Sequence, residues 1–307
     1  MNIGRIATAL VTPFNEDNSI NYQETEGIIN HLIENGTDTI VVCGTTGESP
    51  TLSTKEKLDL ITFVVKVVNK RVTVIAGTGD NETQYSIDMT KAAERAGVDG
   101  IMLVAPYYNK PNQRGIYAHC AAVAAETKLP IMLYNIPGRT GVNILPETIV
   151  ALSKIPNIQV VKEASGNIDQ MTEILANVSD DFSVYSGDDG LTLPLLAVGG
   201  AGVISVAAHV VGNDMKEMIV AFEEGRHKDA ATIHQALLPL IRALFAHPNP
   251  VPVKYALSKL GIDAQKVRLP LVEMTDEEKR EFDIIWDEYQ AKAKNFTKVS
   301  SSLNLSK

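Results

Sequence analysis

Residues 39–49 read Thr39-Ile40-Val41-Val42-Cys43-Gly44-Thr45-Thr46-Gly47-Glu48-Ser49. The first four form a β-branched run with no polar alternation, and Ile101-Met102-Leu103-Val104 repeats the pattern. A strand without alternation is covered on both faces, the condition of a parallel sheet wrapped in helices. At Gly44 the run gives way to hydroxyls and a carboxylate. An apolar strand that delivers a polar loop is the unit from which this chain is built.

Outward from that stretch, short apolar strands begin near Ile6, Thr39, Val72, Gly100, Pro130, Ile158, Phe182 and Gly202. Each leaves room for one helix behind it. Ile28, Ile29, Leu32 and Ile33 form one helical face, and Gly36 sits where a C-terminal cap belongs. Ser53-Thr54-Lys55-Glu56 has capping-box spacing ahead of Leu58, Ile61, Val65 and Val68. Ala92, Ala93 and Ala96 precede Gly97 in the same manner. Eight such units over about 225 residues predict an α/β fold of the (β/α)₈ TIM-barrel type. The rival is a doubly wound open sheet. No Gly-x-Gly-x-x-Gly follows the first strand, where Thr12-Pro13-Phe14 stands instead, and this favours the barrel.

After Gly225 the strand signal stops. Helices are expected from His227 to Phe245, from Val253 to Leu260 and from the capping box Thr275-Asp276-Glu277-Glu278, the last carrying Phe282, Ile285 and Tyr289. The predicted organisation is a barrel over 1–225, a C-terminal helical appendage over 226–295 and a disordered tail over 296–307. The 307 residues are 45% hydrophobic and 21% charged, as in ordinary globular proteins. A net charge of −9 argues against a nucleic-acid groove, which needs a basic face. Cys43 and Cys120 are too few for a disulfide framework or a four-ligand zinc site. With no apolar signal region and no run of membrane-spanning length, a cytoplasmic location is expected.

Active residues of such barrels lie at the C-terminal ends of the strands. Those ends read Gly44-Thr45-Thr46-Gly47-Glu48-Ser49, Pro106-Tyr107-Tyr108-Asn109, Tyr134-Asn135-Ile136-Pro137-Gly138-Arg139-Thr140-Gly141, Val161-Lys162, Ser186-Gly187-Asp188-Asp189 and Ile204-Ser205. One rim therefore collects a lysine, tyrosines, threonines and an arginine, the set that imine chemistry calls for. A desolvated lysine loses its proton more easily, a neutral amine attacks a ketone, and a phenol shuttles protons. Each piece has a plainer reading. Lys162 alone is a strand-end lysine reaching water or pairing with Glu163. Thr45-Thr46-Gly47 alone is a turn, Tyr107-Tyr108 packing aromatics, and Arg139 a solvated loop arginine whose useful role would be bidentate carboxylate capture. Gly199-Gly200-Ala201-Gly202 precedes the eighth strand and reads as a tight turn at the barrel floor, not a phosphate cradle. Cys43 reads as a small buried hydrophobe, and His227, His234 and His247 as structural or surface residues.

Taken together, these strand ends, with Gly202-Val203-Ile204-Ser205 and Asn249-Pro250-Val251-Pro252-Val253-Lys254, resemble the dihydrodipicolinate synthase family. This family belongs to the lysine-dependent pyruvate aldolase and lyase superfamily. Order and spacing match over about the first 295 residues; each motif alone is weak, and only their combination is specific.

The resemblance implies a metal-independent lyase without organic cofactor that joins pyruvate to L-aspartate 4-semialdehyde on the way to diaminopimelate and lysine. It implies that Lys162 forms the imine with pyruvate and Tyr134 moves protons, with Thr45 linking Tyr134 to a Tyr108 that arrives from a neighbouring subunit. Thr46 and the backbone at Ile204 would hold the pyruvate end, with Gly187 nearby, and Arg139 would hold the carboxylate of the aldehyde. A homotetramer, as a dimer of dimers, or a dimer is implied. Sister activities such as N-acetylneuraminate lyase or a keto-deoxy-sugar aldolase share Lys162 and Tyr134 but tend to lack Arg139; a non-catalytic keto-acid sensor is the remaining alternative. Many relatives are inhibited by lysine at a site that falls here on Ser49, Pro50, Thr54, Lys57, Asn81, Tyr85 and Tyr107. Sensitive relatives carry a glutamate where this chain has Tyr85 and a non-cationic residue where it has Lys57, so insensitivity to lysine is expected.

Overall fold

The structure, a computed structural model, describes residues 3–293. The tail expected over 296–307 lies outside the described residues. Eight parallel strands close in sequence order: β1 (Ile6–Ala9), β2 (Thr39–Val42), β3 (Thr73–Gly77), β4 (Gly100–Val104), β5 (Ile131–Asn135), β6 (Ile158–Glu163), β7 (Ser183–Ser186) and β8 (Gly202–Ser205). β8 pairs with β1 through Ala7–Ile204 and Thr8–Ser205, so no edge is left open. Around them run α1 (Tyr22–Glu34), α2 (Thr54–Val68), α3 (Thr83–Ala96), α4 (Gln113–Ala124), the single turn α5 (Pro137–Thr140), α6 (Pro146–Leu152), α7 (Ile168–Asn177), α8 (Thr192–Ala197) and α9 (Ala208–Glu223). The expected caps are present. Ser53 and Glu56 satisfy each other's backbone N–H at the start of α2, and Gly97 closes α3 at φ 90°.

Two apolar compartments explain the absence of alternation in the strands. Ala7, Val41, Ile75, Met102, Met132, Val160 and Ile204 fill the barrel interior. Ile40, Val42, Ile101, Leu103, Leu133 and Val161 face the helices instead. At the floor, a Cβ on Gly202 would lie 2.1 Å from the Arg5 carbonyl oxygen, so the residue there has to be glycine. That places the Gly199–Gly202 turn at the barrel floor, as expected.

β6 carries a one-residue irregularity. Ile131 pairs with Ile158 but the next residue, Met132, pairs with Val160, so Gln159 is passed over. Ile158 belongs to the helix-facing layer and Val160 to the barrel interior. In a regular strand two residues that far apart share a face; the extra residue switches the parity.

The C-terminal part is α10 (His227–Leu244), α11 (Val251–Ser258) and α12 (Asp276–Ala293). α11 starts at Val251, earlier than the expected Val253, because Pro252 occupies its first turn, where a missing N–H costs nothing. No described helix is long and apolar enough to cross a membrane. The hydrophobic core runs without a break from the barrel helices into Leu237, Val253, Phe282 and Trp286. A fully buried ion pair reinforces this join. Lys254 Nζ donates to Glu48 Oε1 at 2.5 Å and to the Lys266 carbonyl at 2.6 Å, with the Phe14 ring 4.5 Å away. The Arg268 N–H donates to Glu48 Oε2 at 3.0 Å, and its guanidinium binds Glu56.

Glu48 and Lys254 are 2% and 0% exposed, so removing one partner strands the other charge in a dry site. Lys254→Met is expected to destabilise the protein by about 3–5 kcal/mol, read as a shift of the urea unfolding midpoint. Adding Glu48→Gln to that variant is expected to recover part of the loss, and a fully additive double variant would contradict the coupling.

Candidate active site

The parity switch in β6 brings Lys162 inside. Val160 faces the barrel interior, so Lys162, two residues on, does so as well, level with Tyr134 on β5 and Tyr185 on β7. Glu163 completes the strand beyond Lys162 and points the other way. It is fully buried, accepting from Asn135 Nδ2 at 2.9 Å, Gln170 Nε2 at 3.0 Å and the Ser165 N–H at 2.7 Å. The plainer expectation, a lysine reaching water or paired with Glu163, is not what forms: Lys162 is only 6% exposed.

Lys162 Nζ lies 4.2 Å from the centroid of the Tyr134 ring. Burial pushes its ammonium down to about 8, with the Arg139 charge acting in the same direction and Asp189 opposing. Burial pushes the Tyr134 phenol up to about 12, while Arg139 and a hydrogen bond with the Thr45 hydroxyl pull it back. The amine is therefore easily freed of its proton beside a phenol that keeps its own. Such a pair suits attack on a carbonyl with proton delivery to its oxygen. Gly187 is the glycine this arrangement requires. A Cβ there would lie 3.1 Å from Lys162 Cε and 2.6 Å from Ala164 Cβ.

Asp189 is the buried counter-charge that sequence reasoning passed over. It accepts from the Ser205 hydroxyl and from the Val206 N–H at 3.1 Å, fastening the β7 loop to the end of β8, whose Ile204 faces the barrel interior. Burial raises its carboxyl from the usual range, against these hydrogen bonds. Its only advance signal was its place at the end of strand seven.

Above Tyr134 opens a cleft of about 780 Å³ whose walls include Thr45, Tyr107, Tyr108, Lys110, Arg139 and Lys57. Tyr134 lines the cleft, and Lys162, in contact with the Tyr134 ring, does not line it itself. Three cations, Lys57, Lys110 and Arg139, face one lining carboxylate, Asp80, which accepts the Tyr107 O–H at 2.9 Å. The mouth is thus cationic on a chain of net charge −9, a field that draws small anions. Arg139 is exposed on α5 with no ion-pair partner among the described residues. The two adjacent tyrosines part company. Tyr107 is turned in, its phenol pushed up to about 12 by burial and Asp80, whereas Tyr108 is 88% exposed at φ 70°. Thr46 is buried, its Oγ1 accepting from Asn249 Nδ2 at 2.9 Å, a partner that the sequence reading did not assign to it. Cys43 is buried with its thiol pushed up to about 12, in keeping with a small hydrophobe.

Residues 2–288 match the dihydrodipicolinate synthetase family. The chain is 57% identical over 279 residues to a 4-hydroxy-tetrahydrodipicolinate synthase of Bacillus velezensis, covering 91% of this chain and 96% of that one. Among solved structures it resembles a dihydrodipicolinate synthase of Bacillus anthracis, with 54% identity, a TM-score of 0.92 and coverage of 93% and 98%. It also resembles the enzyme of Cyanidioschyzon merolae solved with lysine bound, with 45% identity, a TM-score of 0.92 and coverage of 94% and 98%.

With its ammonium near 8, roughly one Lys162 in ten is neutral at pH 7, against roughly one in two or three thousand for a free lysine. Acetylation by acetic anhydride, which takes only the neutral amine and does not itself titrate in this range, is expected to rise with pH through a midpoint near 8 and level off about one unit above it. Peptide mass spectrometry of Lys162 checks this, and a midpoint near 10 would contradict it.

Proposed function

The chain belongs to the dihydrodipicolinate synthetase family, and on that premise we propose how its barrel mouth performs the family's condensation. The enzyme is a lyase that joins pyruvate to L-aspartate 4-semialdehyde, giving 4-hydroxy-tetrahydrodipicolinate in the route to diaminopimelate and lysine. The observation that supports the chemistry best is the buried Lys162 amine held 4.2 Å from the Tyr134 ring beneath a cationic cleft.

Neutral Lys162 attacks C2 of pyruvate, and Tyr134 supplies the proton that lets the former keto oxygen leave as water. The resulting imine carries a positive charge that makes a C3 proton acidic; its loss gives the enamine. Asp189, buried and near enough for its charge to act on the lysine, stabilises that positive charge. Thr46 and the backbone at Ile204 hold the pyruvate carboxylate, with Gly187 keeping the approach open. Enamine C3 adds to the aldehyde, whose own carboxylate is captured by the exposed fork of Arg139. The amine of the bound aldehyde then attacks C2, closes the ring and releases Lys162. Thr45 relays protons from Tyr134 toward Tyr108. The outward attitude of Tyr108 in its own chain fits a residue donated to a second copy, so we place the working site in a tight dimer, within a homotetramer.

Borohydride reduction in the presence of pyruvate is expected to leave a stable adduct on Lys162 and end activity; an adduct elsewhere, or none, would sink the imine. Arg139→Ala is expected to raise KM for the aldehyde while sparing adduct formation with pyruvate. Tyr134→Phe is expected to lower kcat by about 10²–10⁴-fold. Mixing Tyr108→Phe chains with Lys162→Ala chains is expected to restore activity to the inactive pair, which fails if Tyr108 acts within its own subunit.

The region to which the family resemblance assigns a lysine site holds a cation and a phenol in contact. Lys57 Nζ donates to Tyr85 Oη at 3.3 Å, and Thr54 Oγ1 lies 3.2 Å from the same phenol. A fixed cation with a phenol for company is a poor host for the ammonium groups of lysine, which need anionic or strongly accepting partners. Lysine is therefore expected not to inhibit at physiological concentrations. Saturable sub-millimolar inhibition, abolished by substituting Asn81, would refute this.

A further inference from the structure

Asn249 lies between Pro248 and Pro250 in the turn that leads into α11, yet its side chain reaches the β2 loop. Its Nδ2 donates to Thr46 Oγ1 at 2.9 Å, between side chains only 7% and 3% exposed. A threonine hydroxyl has one proton to give and two lone pairs to receive with. Here a lone pair is taken by the amide, and no acceptor for the Thr46 proton is present among the described residues. The proton is left to turn elsewhere. Asn249 Oδ1, for its part, is buried without a partner. Turning the amide over would draw the Thr46 proton onto Oδ1 and bury an NH₂ group with its donors unmet. Orphaned N–H groups are rarer than under-satisfied carbonyls, and that favours the orientation described. A buried polar atom without a partner is a cost that a purely structural asparagine has no reason to carry.

We infer that Asn249, supplied by the C-terminal helical part, is a positioning residue for pyruvate: its amide occupies the Thr46 oxygen so that the hydroxyl proton is free to meet the substrate carboxylate. The inference rests on the reading of Thr46 as a pyruvate contact. It makes the C-terminal part a contributor to the geometry of the site as well as to the packing of the fold.

Asn249→Asp, nearly isosteric, exchanges the donor for an acceptor that claims the Thr46 proton, and Asn249→Ala removes both. Each is expected to raise KM for pyruvate by about 10-fold or more, the order of one hydrogen bond to a charged group. KM for aspartate semialdehyde should stay within about twofold, since Arg139 holds that substrate. In a Thr46→Val background, Asn249→Ala should raise the pyruvate KM no further, because its route of action is already gone. An unchanged pyruvate KM in the single variants overturns the inference. So does the same multiplicative increase with and without Thr46, or loss of the folded state in both the Asp and Ala variants by circular dichroism. Borohydride trapping at saturating pyruvate is run alongside. Retained trapping in the Asn249 variants accompanies a positioning role, whereas absence of trapping in the unmodified enzyme overturns the proposed function on which this inference stands.

Discussion

The parity of β6 is the constraint on which the site depends. A strand offers its side chains to alternate faces, and a slip of one residue exchanges the two sets. The residue passed over at Gln159 makes Val160 and Lys162 face inward while Ile158 and Val161 face the helices. Without it, the lysine would point at the helical shell and Glu163 into the barrel mouth. Two ionisable neighbours are thereby sent to opposite environments, and each has to be accommodated where it lands. Glu163 receives three hydrogen bonds from Asn135, Gln170 and the Ser165 N–H. Lys162 is instead left with an aromatic face and the more distant charge of Asp189. Satisfying one fully and the other sparingly is what separates a structural carboxylate from an amine ready to lose its proton.

Electrostatics beyond the lysine follow the same division between closed and open positions. Lys254 and Glu48 are sealed and paired, Arg268 and Glu56 are paired at half-buried positions, and these pairs hold the β2 loop and the start of α2 to the C-terminal part. Arg139, Lys110 and Lys57 line the open cleft, with Asp80 as the sole lining carboxylate among the described residues. The charges that fix the loop are thus not the charges that greet the substrate. A substitution at the mouth alters what is bound; one at the sealed pair alters where Thr45 and Thr46 stand.

Much of this was legible in the chain. The β–α alternation, the caps at Ser53 and Gly97, and the polar residues following each apolar strand are local signals, and local signals survive in a single sequence. The direction of Lys162 was not legible. Strands buried on both faces show no alternation from which a facing could be read, and the irregularity at Gln159 leaves no compositional mark. The partners of the β2 loop were equally hidden. Asn249 and Lys254 appeared as parts of a recognisable run, but their mates Thr46 and Glu48 lie 203 and 206 residues earlier. Nothing in the intervening sequence announces such a pairing. Asp189 was visible only as one acid of two at a strand end, and burial, which chose it over Asp188, is a property of the finished fold.

The long reach from the C-terminal part to the β2 loop has a consequence for the order in which the protein comes into being. Synthesis proceeds from the N-terminus, and the last barrel strand, β8, is complete at Ser205. Lys162, Tyr134 and Gly187 can be in place by then. Asn249, Lys254 and Arg268, which hold the loop carrying Thr45 and Thr46, are still to be made. A nascent barrel on the ribosome therefore has its nucleophile before the loop that orients the keto acid has been secured. Competence for chemistry arrives late, with the segment that is synthesised after the whole barrel.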